Sequence, residues 1–270
     1  MPIDTPIGRN GWRQGSVLRQ NDHAKLDEVV RSSLRLNASL VVVSHDCDVT
    51  SGSYEREPNV ELLAIYPATE KKGGRTFGKN PREIEFQIRV DGRGAAFIAH
   101  AGDRHHVDRR ILEKVTPDLQ SHLTPESVNL LRSWLAQRYN RSAFPDVFGS
   151  RLRQIQGDIE SILDEQGAEI SVILVGIEPA GEAREDESYE VHLYAVMPVN
   201  LYRQAALRTK AQSVIDQLGA LFRKCDGIQL TDAEVRSESD VTLNELRYLK
   251  RFTPDYLSHK KPSSTFFPNT

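Results

Sequence analysis

Glu83-Ile-Glu-Phe-Gln-Ile-Arg-Val90, then Asp91-Gly92 and the return Ala95-Ala-Phe-Ile-Ala99, is the stretch whose reading decides the fold. Polar and apolar residues alternate strictly from Glu83 to Val90, so Ile84, Phe86, Ile88 and Val90 share one face of a half-buried strand. Asp-Gly between two such runs is the turn chemistry of an antiparallel hairpin. Upstream, Ser39-Leu-Val-Val-Val-Ser44 and Val60-Glu-Leu-Leu-Ala-Ile-Tyr66 are apolar runs of strand length, separated by a polar region from Asp46 to Pro58 with Gly52 as punctuation. Several short strands with no helix between them predict a small antiparallel β-barrel over residues 10–120, not a doubly wound sheet.

Beyond residue 117 the period changes. Thr124-Pro125 places an N-cap before a proline at the first helical position, and Val128, Leu131, Trp134 and Leu135 follow at helical spacing. Ser150 reads as the cap of a second helix carrying Leu152, Ile155, Ile159 and Leu163, ended at Gly167. Ile170 to Ile177 and Tyr189 to Met197 read as paired strands, joined by the acidic, solvated stretch Gly181 to Ser188, and Leu201 to Cys225 as a helix. Thr242-Leu-Asn-Glu245 has capping-box spacing. The fold class is therefore α+β: the barrel, a helical extension over 121–166, a C-terminal α+β unit over 168–258 and a tail over 259–270, with the boundary at Gln166-Gly167.

The 270 residues carry 35 Lys plus Arg against 38 Asp plus Glu, a net charge of −3, which excludes a chain coated in basic charge but not a local basic patch. No apolar run approaches the ~18 residues of a membrane span. The first residues lack the apolar core of a signal peptide, and two distant cysteines make no disulfide framework, so the expected setting is a reducing cytoplasm with no membrane partner.

Two polar clusters are candidates for chemistry. Ser44-His45-Asp46-Cys47-Asp48 follows the Val-rich strand directly; an extended backbone there points His45 and Cys47 one way and Asp46 and Asp48 the other. His100-Ala-Gly-Asp-Arg-His-His106 follows Ala95 to Ala99. If the two strand ends are adjacent, His45, Asp46, His105 and His106 are candidate ligands for a divalent metal; otherwise no cofactor is expected. Cys47 beside a histidine is a candidate nucleophile, while His45 and Asp46 are candidate general acid and base. The structural alternative is that Cys47 packs as a small hydrophobe, the aspartates cap turns and the histidines lie in solvent. A third constellation runs from Trp134 to Asp146: Arg138 and Arg141 flank Tyr139, a pattern suited to phosphate contact and base stacking, or to the dipole at a helix end.

The pieces of the first 120 residues resemble the MazF/PemK family of SH3-like barrels, which act as toxin ribonucleases. Trp12-Arg-Gln-Gly-Ser-Val-Leu18 is similar to the family's opening strand, Leu40-Val-Val-Val-Ser44 to its central strand, Ile65-Tyr-Pro-Ala-Thr69 to its strand ending in Pro-x-Thr, and His105 to Leu112 to its late segment. The resemblance implies a phosphate-contacting role for Thr69. It departs from the family before the central strand, where Asn37-Ala38 stands in place of Arg-Pro, so the cleavage arginine it implies falls to Arg13 or Arg35.

Two function classes follow. One is a nucleic-acid-acting enzyme, an endoribonuclease or other phosphodiester hydrolase acting on RNA or DNA, with His45, Asp46, Cys47, Asp48 and Thr69 as catalytic candidates and Arg13, Arg35, Arg138, Tyr139 and Arg141 holding the strand. The other is a non-catalytic binding or adaptor module of a bacterial defence or toxin–antitoxin system, with a protein partner.

Overall fold

The structure is a computed structural model and describes residues 5–137, Tyr139 and 143–254. Arg138 and Arg141 lie outside the described residues. Contacts divide the chain into two units. The first holds residues up to Lys71 and Arg75–Asn140, the second Lys72–Gly74 and the chain from Arg141. The helices between 121 and 166 are thus shared between the units, and Gln166-Gly167 lies inside the second.

The first unit runs α1 (Pro6–Arg9), β1 (Ser16–Leu18), α2 (Glu28–Ser33), β2 (Ser39–Val42), α3 (Asp46–Val49), β3 (Asn59–Pro67), β4 (Glu83–Val90), β5 (Arg93–Asp108), α4 (Ile111–Lys114), β6 (Pro117–Leu123) and α5 (Pro125–Gln137). Its six strands form one antiparallel sheet in the order β1-β2-β3-β5-β4-β6. β1 also meets β6, through Ser16 opposite His122 and Leu18 opposite Pro117 with a register break between them, so the sheet closes unevenly on itself. The hairpin forms at Asp91 and Gly92, whose φ values of 49° and 75° are those of a two-residue turn with both centres left-handed.

β5 does not end at Ala99. It continues to Asp108, so the histidine cluster lies within a strand and not beyond one. Between the pairs Leu63–Arg104 and Ile65–Ala99 the strand carries extra residues, a bulge that bends it from its pairing with β4 toward the start of β3. The continuous apolar runs of β2 and β3 have their reason in burial on both faces. Val41, Leu63 and Ile65 join Ile84, Phe86, Ile88, Leu131 and Trp134 in one core. Leu40, Val42 and Leu62 meet Ile7, Trp12, Leu26, Val30, Val49 and Leu112 in another.

The second unit runs α6 (Asp146–Leu152), α7 (Gln156–Gln166), β7 (Val172–Glu178), β8 (Tyr189–Met197), α8 (Val199–Tyr202), α9 (Ala205–Phe222), β9 (Ile228–Ser237) and β10 (Lys250–Phe252). Ser150 sits inside α6, not before it, because the helix starts after Pro145 and the Ser150 hydroxyl bonds back to the Val147 carbonyl. The sheet order is β10-β7-β8-β9, antiparallel except for β8 with β9, whose parallel pairing needs the α9 crossover between them. β9 and β10 are strands the periodicity does not announce. Ile159, Leu163, Ile215, Leu218 and Phe222 pack onto Ile173, Val175, Val191, Leu193 and Ala195, so α7 and α9 cover one face of this sheet. The capping box forms as its spacing predicts, with Glu245 N–H donating to Thr242 Oγ1 at 3.2 Å and Thr242 N–H to Glu245 Oε2 at 2.8 Å, but it opens only one 3-10 turn.

No described helix is long and apolar enough to cross a membrane. Trp134 ties α5 to the first unit: it is fully buried and donates its indole N–H to the Asn80 carbonyl at 2.7 Å. Trp134→Ala is expected to destabilise by about 3–5 kcal/mol, as large-to-small changes of buried aromatics do. Chemical denaturation of the two proteins checks this, and a loss below about 1 kcal/mol would contradict the packing.

Candidate functional site

At the end of β2 the pairing with β3 persists for two more residues: Val43 N–H donates to the Glu61 carbonyl at 3.0 Å, and Ser44 Oγ accepts from Glu61 N–H at 2.8 Å. The chain then coils instead of staying extended. His45 caps α3, its Nδ1 accepting from Cys47 N–H at 3.3 Å, and the Thr50 hydroxyl donates to the Asp46 carbonyl at 2.7 Å. The alternating faces expected of residues 45–48 are therefore absent. The Asp46 carboxylate accepts from Gln14 N–H at 2.7 Å, and Gln14 Nε2 donates to the Val43 carbonyl at 2.8 Å, so the Trp12–Ser16 turn is stapled to the strand end. Cys47 is exposed, contrary to packing as a buried hydrophobe, and the Asp48 side chain is half-exposed.

What sequence reading missed is Arg109. Its guanidinium is 0% exposed and donates to five carbonyls, those of Asp48, Val49, Ser51, Ser53 and Glu57, at 2.7–3.1 Å, with Tyr54 stacked 4.5 Å from it. Two of those carbonyls, of Asp48 and Val49, belong to the last turn of α3, where the i→i+4 ladder runs out, although the Asp48 carbonyl also accepts from Ser51 N–H at 3.3 Å. The same cation thus ends the helix and folds the loop to Pro58.

Past the end of β2, Gln14, Val43, Glu61, Leu123, Val128, Leu131, Leu135 and Tyr139 are among the residues that line a cavity of about 220 Å³. Its floor is apolar and its mouth is not. Arg104 reaches into the mouth from β5, with NH1 3.2 Å from Glu61 Oε1 and 3.4 Å from the Tyr139 hydroxyl, while Arg132 borders it from α5. The Tyr139 hydroxyl first, and Glu61 after it, hold Arg104 further toward its charged form. Tyr139 itself is 80% exposed, an aromatic face in solvent beside guanidinium groups. Arg104 belongs to the His100–His106 cluster, but its meeting with Glu61 is set by the β3–β5 register, and Arg132 arrives from the helix α5.

The predicted residues separate into two groups. Arg13, next to Gln14, lies with His45 to Asp48 at one end of the sheet. Thr69 and Arg35 lie at the other, since β2 and β3 are antiparallel with Ser39 opposite Ile65 and Val42 opposite Leu62. Thr69 and the 45–48 cluster therefore do not form one site. Arg35 is 3.3 Å from Asp103 and stacks on Tyr66. His100 does not face His45 but Glu83, at 3.4 Å, which Arg75 also holds at 2.7 Å. His105 lies opposite Leu62 and on the same face of the sheet, and its burial lowers its pKa. His45, Asp46, His105 and His106 do not gather as metal ligands, and among the described residues no three His, Cys, Asp or Glu do. Compared with known proteins, the chain matches no family model, no curated protein and no solved structure.

Two outcomes are expected here. Arg109→Met takes the guanidinium from five carbonyls, of which, among the described residues, only those of Asp48 and Ser53 keep a backbone donor, from Ser51 and Glu57, and should destabilise by at least roughly 1–3 kcal/mol, the cost of a buried acceptor left unsatisfied. A urea midpoint shift worth less than about 1 kcal/mol would deny the cradle its role. For Glu83, the His100 hydrogen bond and the Arg75 guanidinium outweigh burial and hold its pKa at about 2, below the ordinary 4.5. A depressed folded pKa means stability present above the unfolded value and lost as pH falls toward about 2. Glu83→Gln should therefore be less stable at neutral pH, with the gap closing between pH 4.5 and 2 in thermal melts. A gap constant over that range would contradict the assignment.

Proposed function

We propose that the first unit is a PemK-like, SH3-type barrel that binds single-stranded nucleic acid, RNA in particular, as a non-catalytic module of a bacterial defence or toxin–antitoxin system in the cytoplasm. One observation carries the reading: an exposed tyrosine, Tyr139, beside the guanidinium groups of Arg104 and Arg132 at the mouth of an apolar-floored cavity. An aromatic face stacks a base of any identity, and arginines alongside hold the phosphates on either side. Binding is preferred over cleavage because His45 and Asp46, the acid–base candidates, serve as a helix cap and a staple to Gln14.

A cleavage reading survives at the other end, where Arg35 and Thr69 lie and His100 meets a carboxylate at 3.4 Å, with His100 as the proton-transfer group. Fluorescence anisotropy with a labelled single-stranded RNA tests the binding reading. Affinity should fall steeply with salt, Tyr139→Ala should weaken binding by about 1–3 kcal/mol, and Arg104→Ala with Arg132→Ala should reduce the salt slope. No binding at low salt, or unchanged binding in Tyr139→Ala, would overturn it. RNA cleaved by the wild type but not by His100→Ala would replace it with the enzyme.

A further inference from the structure

The second unit carries a site unrelated to the nucleic-acid reading. Strand alternation sends Tyr189, Val191, Leu193 and Ala195 into the core under the helices and leaves Glu190, His192 and Tyr194 on the opposite face of β8. Glu178 on β7 lies directly opposite Glu190, and Asp232 and Glu234 on β9 stand beside His192 and Tyr194. The segment around Glu245 to Leu249 forms the far wall of a groove of about 1020 Å³ along this face.

One half of the face already holds a guanidinium. Arg236 lies over the Tyr194 ring, 5.2 Å from its centroid, with Glu245 at 2.7 Å and Glu234 at 3.7 Å. The other half repeats those parts without the arginine. Glu178 and Glu190 are exposed, directly paired across the strands, and neither has a cation among the described residues. Like charges in that relation repel. His192 stacks on Tyr194 at 6.4 Å with an 11° interplanar angle, and Tyr248 is 71% exposed at the groove wall. Carboxylates set among flat rings suit a guanidinium, which is planar, forks onto carboxylates and stacks on aromatic faces.

We infer that this groove binds an extended, arginine-bearing peptide segment of a protein partner, with a partner guanidinium placed between Glu178, Glu190 and the His192 and Tyr248 rings as Arg236 is placed on Tyr194. At about 1020 Å³ the groove is too large for a single side chain, and its carboxylates set the sign of what enters.

The test is fluorescence anisotropy of the full chain with a labelled nine-residue peptide carrying arginine at alternate positions, against the same peptide with lysine and with glutamate. The arginine peptide should bind best, the lysine peptide more weakly and the glutamate peptide not at all, with affinity falling as salt rises. The Glu178→Gln/Glu190→Gln double variant should lose at least about tenfold in affinity while its melting temperature holds or rises, since it removes a repulsion. Equal binding of the arginine and glutamate peptides, or undiminished binding by the double variant, would overturn the inference.

Discussion

The guanidinium of Arg109 is a buried cation that meets no carboxylate among the described residues; it donates instead to five backbone carbonyls. The Asp48 and Ser53 oxygens also accept from the Ser51 and Glu57 N–H groups, while those of Val49, Ser51 and Glu57, in a loop folded against a core, would otherwise need water or another donor. Charge-assisted bonds to one planar group satisfy them together and leave the 48–57 backbone little freedom. Held in this way, α3 keeps its one turn, Val49 stays in the core with Trp12 and Leu112, and Asp46 stays within reach of Gln14. Gln14 in turn lines the cavity. The cationic mouth thus rests on a residue that touches none of its lining.

The two units reach opposite surface chemistry by related means. In the first, β2 and β3 are apolar on both faces, and the polar groups gather at the strand ends and at the mouth that α5 helps to form. In the second, the helices cover one face of the sheet only, and strand alternation delivers acids and rings to the other. A net charge of −3 conceals this contrast, because it sums the charges of the whole chain.

Local chemistry was legible. The alternation of residues 83–90, the Asp91-Gly92 turn, the Thr124-Pro125 start of α5 and the Thr242–Glu245 box all act through neighbours in sequence, and all form. What was not legible depends on register. Nothing nearby in sequence marks Ala99 as the middle of a strand, because the bulge that carries β5 onward is defined only against β3. The His45 cluster looked like a site because it is dense. Coiling into α3 turned its members into a cap and a staple. Arg109, among several arginines of similar surroundings in the chain, reveals its burial only when the loop closes over it. Arg104 and Glu61 are 43 residues apart in the sequence and meet only through the β3–β5 ladder.

The central claim, that the mouth formed by Tyr139, Arg104 and Arg132 holds a nucleic-acid strand, is most directly tested by photocrosslinking a 4-thiouridine-substituted RNA to the full chain and mapping the adducts by mass spectrometry. The account predicts adducts at Tyr139 and along the neighbouring part of β5, around Arg104. Adducts confined to residues 143–254, with none in the first unit, would contradict it.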